Sequence, residues 1–180
     1  MEKHSHVFEK FDTFENMYDG YLLARCNKRY RPEVLTYSAN LEENIINDVN
    51  RLQWHSYAPG RPRAFYEYYP KVRLIHALPF SDRVVNCAAY NVLWPIYEKS
   101  FYEHSYGSIP NRGQLKAVET VQRWMKMVDG KPQQWYIGKL DVAKFFFRVP
   151  IEVQMREMTR PLDDPLMTWF LDVAIRCDGQ

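Results

Sequence analysis

From Pro32 to Trp54, Leu35, Leu41, Ile45, Val49 and Leu52 recur at spacings close to helical, with polar and charged residues between them. This predicts one amphipathic helix or two, with the apolar stripe in the core. The pattern then changes period. Residues 63–69 and 72–78 are two runs rich in β-formers, separated by Pro70-Lys71, and they predict a hairpin with Lys71 in its turn. Ser81 and Asp82 open an apolar stretch through Val84, Val85, Ala88, Ala89, Val92 and Leu93, which predicts a capped helix that bends or stops at Pro95. A further helix is expected from about Arg112, and a short apolar strand from Trp135 to Val142 that delivers Asp141 at its end. Asp164-Pro165 then predicts a last helix through Trp169 and Val173, with the aspartate as cap and the proline in its first turn.

Composition narrows the class. At 180 residues, with 46% apolar and 16% aromatic side chains, the chain is long enough for one domain or two subdomains sharing a core, and too apolar for disorder. No repeat, low-complexity tract or Gly/Ser-rich linker marks a boundary. No apolar run approaches the roughly 20 residues of a membrane span, and the first ten residues carry charges and histidines where a signal peptide needs an apolar stretch. The expected location is therefore the cytoplasm, with no membrane partner. Cys26, Cys87 and Cys177 are odd in number and widely spaced, as plain thiols are, and not as zinc ligands or a disulfide framework.

Charge adds a local feature that the net value of +2 conceals. Arg51, Arg61, Arg63, Lys71 and Arg73 are opposed only by Glu67, and they alternate with Tyr57, Phe65, Tyr66, Tyr68 and Tyr69. Cations with aromatics can line a nucleic-acid groove, where they meet phosphates and bases; a solvated hairpin face is the other reading. Asp141 at the end of a strand, followed by an available carbonyl, is a hard-oxygen pair suited to magnesium, although aspartates at such positions also serve as caps and turn residues.

The segment Lys139-Leu140-Asp141-Val142-Ala143-Lys144-Phe145-Phe146-Phe147-Arg148-Val149-Pro150 resembles the first palm motif of reverse transcriptases. Pro70-Lys71-Val72-Arg73-Leu74-Ile75, Pro79 and Asp82-Arg83-Val84-Val85 resemble the fingers hairpin and following helix of the bacterial members. Pro95-Ile96-Tyr97-Glu98, His104-Ser105-Tyr106-Gly107-Ser108, Asn111-Arg112-Gly113 and Ala117-Val118 are similar to the next shared block. The likeness is greater to group II intron, diversity-generating retroelement and prophage enzymes than to retroviral ones.

The resemblance implies an α+β fold in which helix-rich fingers with a β-hairpin join the first strand and helices of a right-hand palm. It implies an N-terminal helical extension over residues 1–30, fingers over 31–132 and part of a palm over 133–180. It further implies RNA-directed DNA polymerase activity, with an RNA template, a DNA primer and deoxynucleoside triphosphates as partners and two Mg2+ ions in the complete site. By the same resemblance, Asp141 and the carbonyl of Val142 would hold metal. Lys71 and Arg73 would clamp the triphosphate, Phe146 would lie beneath the sugar, and Arg61, Arg63 and Arg112 would touch nucleic acid.

Two departures qualify this picture. Lys144 stands where retroviral enzymes often place a second acid, and the family's Gly-rich segment and aromatic-x-Asp-Asp turn do not occur in these residues. Asp163-Asp164 precedes Pro165 and an apolar helix, so it is expected to cap that helix and not to serve as the acidic pair. These 180 residues are accordingly expected to be inactive alone, completed by a C-terminal half or an accessory protein. The alternative is a non-catalytic RNA-binding or defence-system component that retains a polymerase-like fold.

Overall fold

The computed structural model describes residues 3–143 and 145–176, with the side chains of Phe146 and Phe147 outside that description. Its contacts divide the chain into two units, one of Met1–Tyr97 with Val149–Gln180 and one of Glu98–Arg148. No helix among the described residues is long and apolar enough to cross a membrane.

The first unit contains α1 (Phe8–Phe11), α2 (Phe14–Ala24), α3 (Pro32–Ala39), α4 (Leu41–Gln53), the hairpin strands β1 (Arg63–Glu67) and β2 (Arg73–Ala77), and α5 (Phe80–Tyr97). The helix predicted over 32–54 is thus two helices, broken at Asn40. Ile45, Val49 and Leu52 are buried as expected, but Leu35 is 56% exposed because α3 turns Val34 and Tyr37 inward instead. Thr13 starts α2 by accepting from the Asn16 N–H at 3.2 Å. Helix α2 then crosses α5 at backbone contact, since a Cβ added at Gly20 would lie 2.8 Å from the Val84 carbonyl oxygen and the Ala88 nitrogen. Only glycine permits that approach.

The capped start expected at Ser81-Asp82 is not where α5 begins. The helix starts earlier, at Phe80, and Asp82 in its first turn is 1% exposed. Its carboxylate accepts from the Tyr57 hydroxyl at 3.1 Å and the Gly60 N–H at 2.8 Å, which supplies acceptors to a loop that would otherwise bury unpaired donors. Nor does Pro95 stop the helix, which continues to Tyr97; a proline in the last turn forfeits only one ladder bond. A second buried acid, Asp48, accepts from the Tyr37 hydroxyl at 2.9 Å and is held above the usual carboxylate value by burial.

The unit closes on itself through its C-terminal helices, α8 (Ile151–Thr159) and α9 (Pro165–Arg176). The His4 N–H donates to the Pro161 carbonyl at 2.9 Å, and the Asp163 N–H donates to the His4 carbonyl at 2.8 Å. Asp164 serves two helices at once. Its Oδ1 accepts from the Met167 N–H of α9 at 3.0 Å, while its Oδ2 accepts from the N–H groups of Val7 and Phe8 at 2.8 and 2.9 Å. Phe11 and Phe170 then pack with ring centroids 4.6 Å apart.

The second unit holds a 3-10 turn (Glu98–Ser100), α6 (Gln114–Val128) and α7 (Phe145–Arg148). The strand expected over residues 135–142 does not form. A strand exists only with a partner, and among the described residues β1 and β2 pair only with each other. Trp135, Tyr136, Ile137 and Leu140 remain exposed instead. The strand content of this α+β chain is therefore the one hairpin, while the strand expected over residues 135–142 is absent from the described residues.

Removing the carboxylate of Asp164 strips one helix cap and leaves two N–H groups near α1 unpaired. Asp164→Ala should destabilise the protein by about 2–4 kcal/mol, whereas exposed Asp163→Ala should stay within about 0.5 kcal/mol, as read from denaturant unfolding. Equal effects would contradict the double cap. Gly20→Ala should cost about 1–3 kcal/mol by forcing α2 off α5, and a neutral result would contradict the backbone contact.

Candidate nucleotide and nucleic-acid site

The hairpin is antiparallel, with Arg63 opposite Ala77, Phe65 opposite Ile75 and Glu67 opposite Arg73. Because side chains alternate across a strand, Arg63, Phe65 and Glu67 share one face with Arg73 and Ile75, while Tyr66 and Leu74 occupy the other. Neither face is buried: every β1 residue is exposed, and in β2 only Ile75 and Ala77 are partly covered. Arg63 lies over its neighbour Phe65, with 5.2 Å from the guanidinium carbon to the ring centroid. Lys71 sits in the loop of residues 68–72 and Arg73 begins β2, so both cations are exposed at the far end of the ladder. Arg61 is exposed just before β1.

The base of the hairpin is fixed where the tip is free. Gly60 donates to Asp82, and a Cβ there would meet Pro79 Cγ at 2.8 Å and Asp82 Oδ2 at 3.2 Å. Both ends of the hairpin are thereby drawn to the first turn of α5. Sequence reasoning missed this positioning role of Asp82; the signal was an acid inside an otherwise apolar helical run.

In the second unit Asp141 is exposed in an open depression lined also by Leu140, Val142 and Phe145. The Phe146 assignment lies outside the described side chains. Arg112 is engaged locally: its Nη1 donates to the carbonyls of Tyr102, Glu103 and Ser105 at 3.2, 2.9 and 3.4 Å. The loop it gathers is braced on α6. Tyr106 donates from its hydroxyl to Thr120 Oγ1 at 2.8 Å, and His104 packs edge-on against Trp124 at 4.8 Å. The hairpin cations belong to the first unit and Asp141 to the second.

Carboxylate and carbonyl oxygens at Asp141 and Val142 are the right donor chemistry for magnesium, a hard cation. Their number falls short of a closed site, since no group of three or more His, Cys, Asp or Glu side chains converges among the described residues.

Residues 67–178, more than half of the chain and including the hairpin cations Lys71 and Arg73, Arg112 and Asp141, match the reverse transcriptase (RNA-dependent DNA polymerase) family. The chain belongs to that family. No curated protein matches it. In this reverse transcriptase chain the matched stretch begins at the last residue of β1, so Arg61, Arg63 and the helices α1 to α4 precede it.

The geometry of Arg112 gives a test that needs no substrate. Arg112→Ala should release the backbone of residues 102–105, raising amide exchange there and in the first turns of α6 by about tenfold or more, as the loss of roughly 1.5–3 kcal/mol of charged hydrogen bonds implies. Exchange unchanged from wild type would contradict the clamp.

Proposed function

We propose that this chain is the nucleotide- and template-engaging part of an RNA-directed DNA polymerase of the bacterial retroelement type, akin to group II intron, diversity-generating and prophage enzymes. The observation that carries the reading is that one family match covers both the tip and second strand of the hairpin, with Lys71 and Arg73, and the Asp141 segment. The N-terminal extension, fingers and partial palm would occupy residues 1–30, 31–132 and 133–180.

On this reading the hairpin tip meets the incoming deoxynucleoside triphosphate. Arg73 forks onto phosphate oxygens and Lys71 adds a flexible point charge. Arg73 is exposed, and an ion pair with its cross-strand neighbour Glu67 would be worth only about 0–1 kcal/mol at such a surface. Phe146 would lie under the sugar and exclude a 2′-hydroxyl. Arg61 and Arg63 would follow nucleic-acid phosphates, and Arg112 would serve the template side through the loop that it holds. Asp141 and the Val142 carbonyl would be two of the oxygens around magnesium, with further carboxylates supplied by polypeptide outside these residues. Bound there, magnesium would activate the primer 3′-hydroxyl and offset charge on the departing pyrophosphate.

Primer extension on an RNA template, with this chain joined to the polypeptide that completes the palm, tests the assignment. Asp141→Asn should abolish nearly all incorporation without unfolding, because an amide is a poor replacement for an anionic magnesium ligand. Arg73→Ala should lower kcat/KM for the nucleotide by about 10- to 100-fold, the scale of a charge-assisted hydrogen bond. Phe146→Ala should raise ribonucleotide use relative to deoxyribonucleotide. Wild-type extension by Asp141→Asn would sink the catalytic reading, and salt-dependent RNA binding without any extension would favour the non-catalytic alternative.

A further inference from the structure

The loop that leads from α4 to the hairpin is held from two sides. Asp82 of α5 serves its donors, Tyr57 and Gly60. Arg51, in the last turn of α4, serves an acceptor: its Nη2 donates to the Ala58 carbonyl at 2.6 Å. The guanidinium carbon also lies 5.0 Å from the centroid of the Tyr57 ring. Tyr57 is only 3% exposed, so it is pinned between a cation on its face and a carboxylate at its hydroxyl.

Arg51 is itself held in place. Its Nη1 lies 3.4 Å from Oδ1 of the buried Asp48, one turn back on α4, and Asp48 accepts in turn from the Tyr37 hydroxyl of α3. The Arg51 carbonyl accepts from the Ser56 N–H at 2.9 Å and the Ser56 hydroxyl at 3.3 Å, which turns the chain back on the end of the helix. The charge pattern of the sequence groups Arg51 with the hairpin cations, but in the structure two of its nitrogens donate inside the protein. A cation that did no more than complement the C-terminal dipole of α4 could stay in water. This side chain is 35% exposed and aimed at the loop.

One attachment leaves a marginal two-stranded hairpin free to swing about it, whereas two attachments to different helices fix its direction. Arg51 and Asp82 reach residues 57–60 from α4 and α5, helices that pack on each other. At about 3.4 Å per residue, five-residue strands carry Lys71 and Arg73 about 15 Å from that root, so a small tilt there is amplified at the tip.

We propose that Arg51 is a positioning residue of the nucleotide site: from α4, outside the family-matched stretch, it sets the direction in which the hairpin presents Lys71 and Arg73 to a triphosphate. The inference rests on the proposed role of the hairpin in binding the nucleotide. Arg51 touches no ligand and acts through residues 57 and 58.

The test is a double-substitution cycle on the 180-residue protein, read by titrating a fluorescent deoxynucleoside triphosphate with Mg2+. Arg51→Met keeps the reach of the side chain and removes its donors and charge. It should weaken nucleotide binding about tenfold alone, but about threefold or less when Arg73→Ala is already present, because the direction of the tip matters most while it carries that cation. Amide exchange should rise about tenfold at residues 57–60 and stay as in the wild type in α2 and α5. Arg51→Lys, which retains the charge and a donor for Ala58, should recover binding to within about threefold of the wild type, and it decides the matter if Arg51→Met does not fold. Wild-type binding by Arg51→Met, or the same fold-loss with and without Arg73, beside a weakened Arg73→Ala, would overturn this inference and leave the polymerase reading standing. Nucleotide binding indifferent to Arg73→Ala would overturn the nucleotide role of the hairpin and this inference with it.

Discussion

The buried carboxylate of Asp82 is the constraint on which the presentation of the hairpin depends. A two-stranded hairpin is marginal alone, and this one buries neither face. What orients it is its base, where Tyr57 and Gly60 donate to Asp82 and leave no room at Gly60 for a side chain. Asp82 is placed in turn by α5, and α5 is locked to α2 through the contact at Gly20. A chain of close approaches thus runs from the core of the first unit to Lys71 and Arg73. The tip with Lys71 and Arg73 is exposed while its root is held at Asp82.

A second closure makes that core a single piece. Asp164 joins a helix near the start of the chain to one near its end, and Phe11 against Phe170 continues the join with apolar packing. Both acids are buried because they accept two or more hydrogen bonds, so their desolvation is offset by pairing. Asp141 contrasts with both. It is exposed beside an open depression.

Local signals were the legible ones. The spacing of Ile45, Val49 and Leu52 gave α4, Pro70-Lys71 between β-formers gave the hairpin, and Asp164-Pro165 gave the cap of α9, because each is decided within a few residues. What failed depended on distant partners. Residues 135–142 have the apolar content of a strand but no neighbour to pair with among the described residues. The role of Asp82 was not legible because the donors it serves lie more than twenty positions earlier. Helix α8 went unforeseen, since after Pro150 its apolar positions are few and none is fully buried. For the site, Arg73 and Asp141 rest on family likeness alone, whereas the carbonyl clamp by Arg112 is a loop geometry with no sequence signature.

The central claim of the proposed reading is that the Asp141 segment holds the metal ion that accompanies the nucleotide. Paramagnetic broadening measures this directly: amide resonances of the isotope-labelled chain are followed as Mn2+ and a deoxynucleoside triphosphate are added in the presence of an RNA–DNA primer–template. The account predicts broadening of residues 140–143, reversed by excess Mg2+. Broadening confined to the hairpin, or located at other acids while residues 140–143 stay sharp, would contradict it.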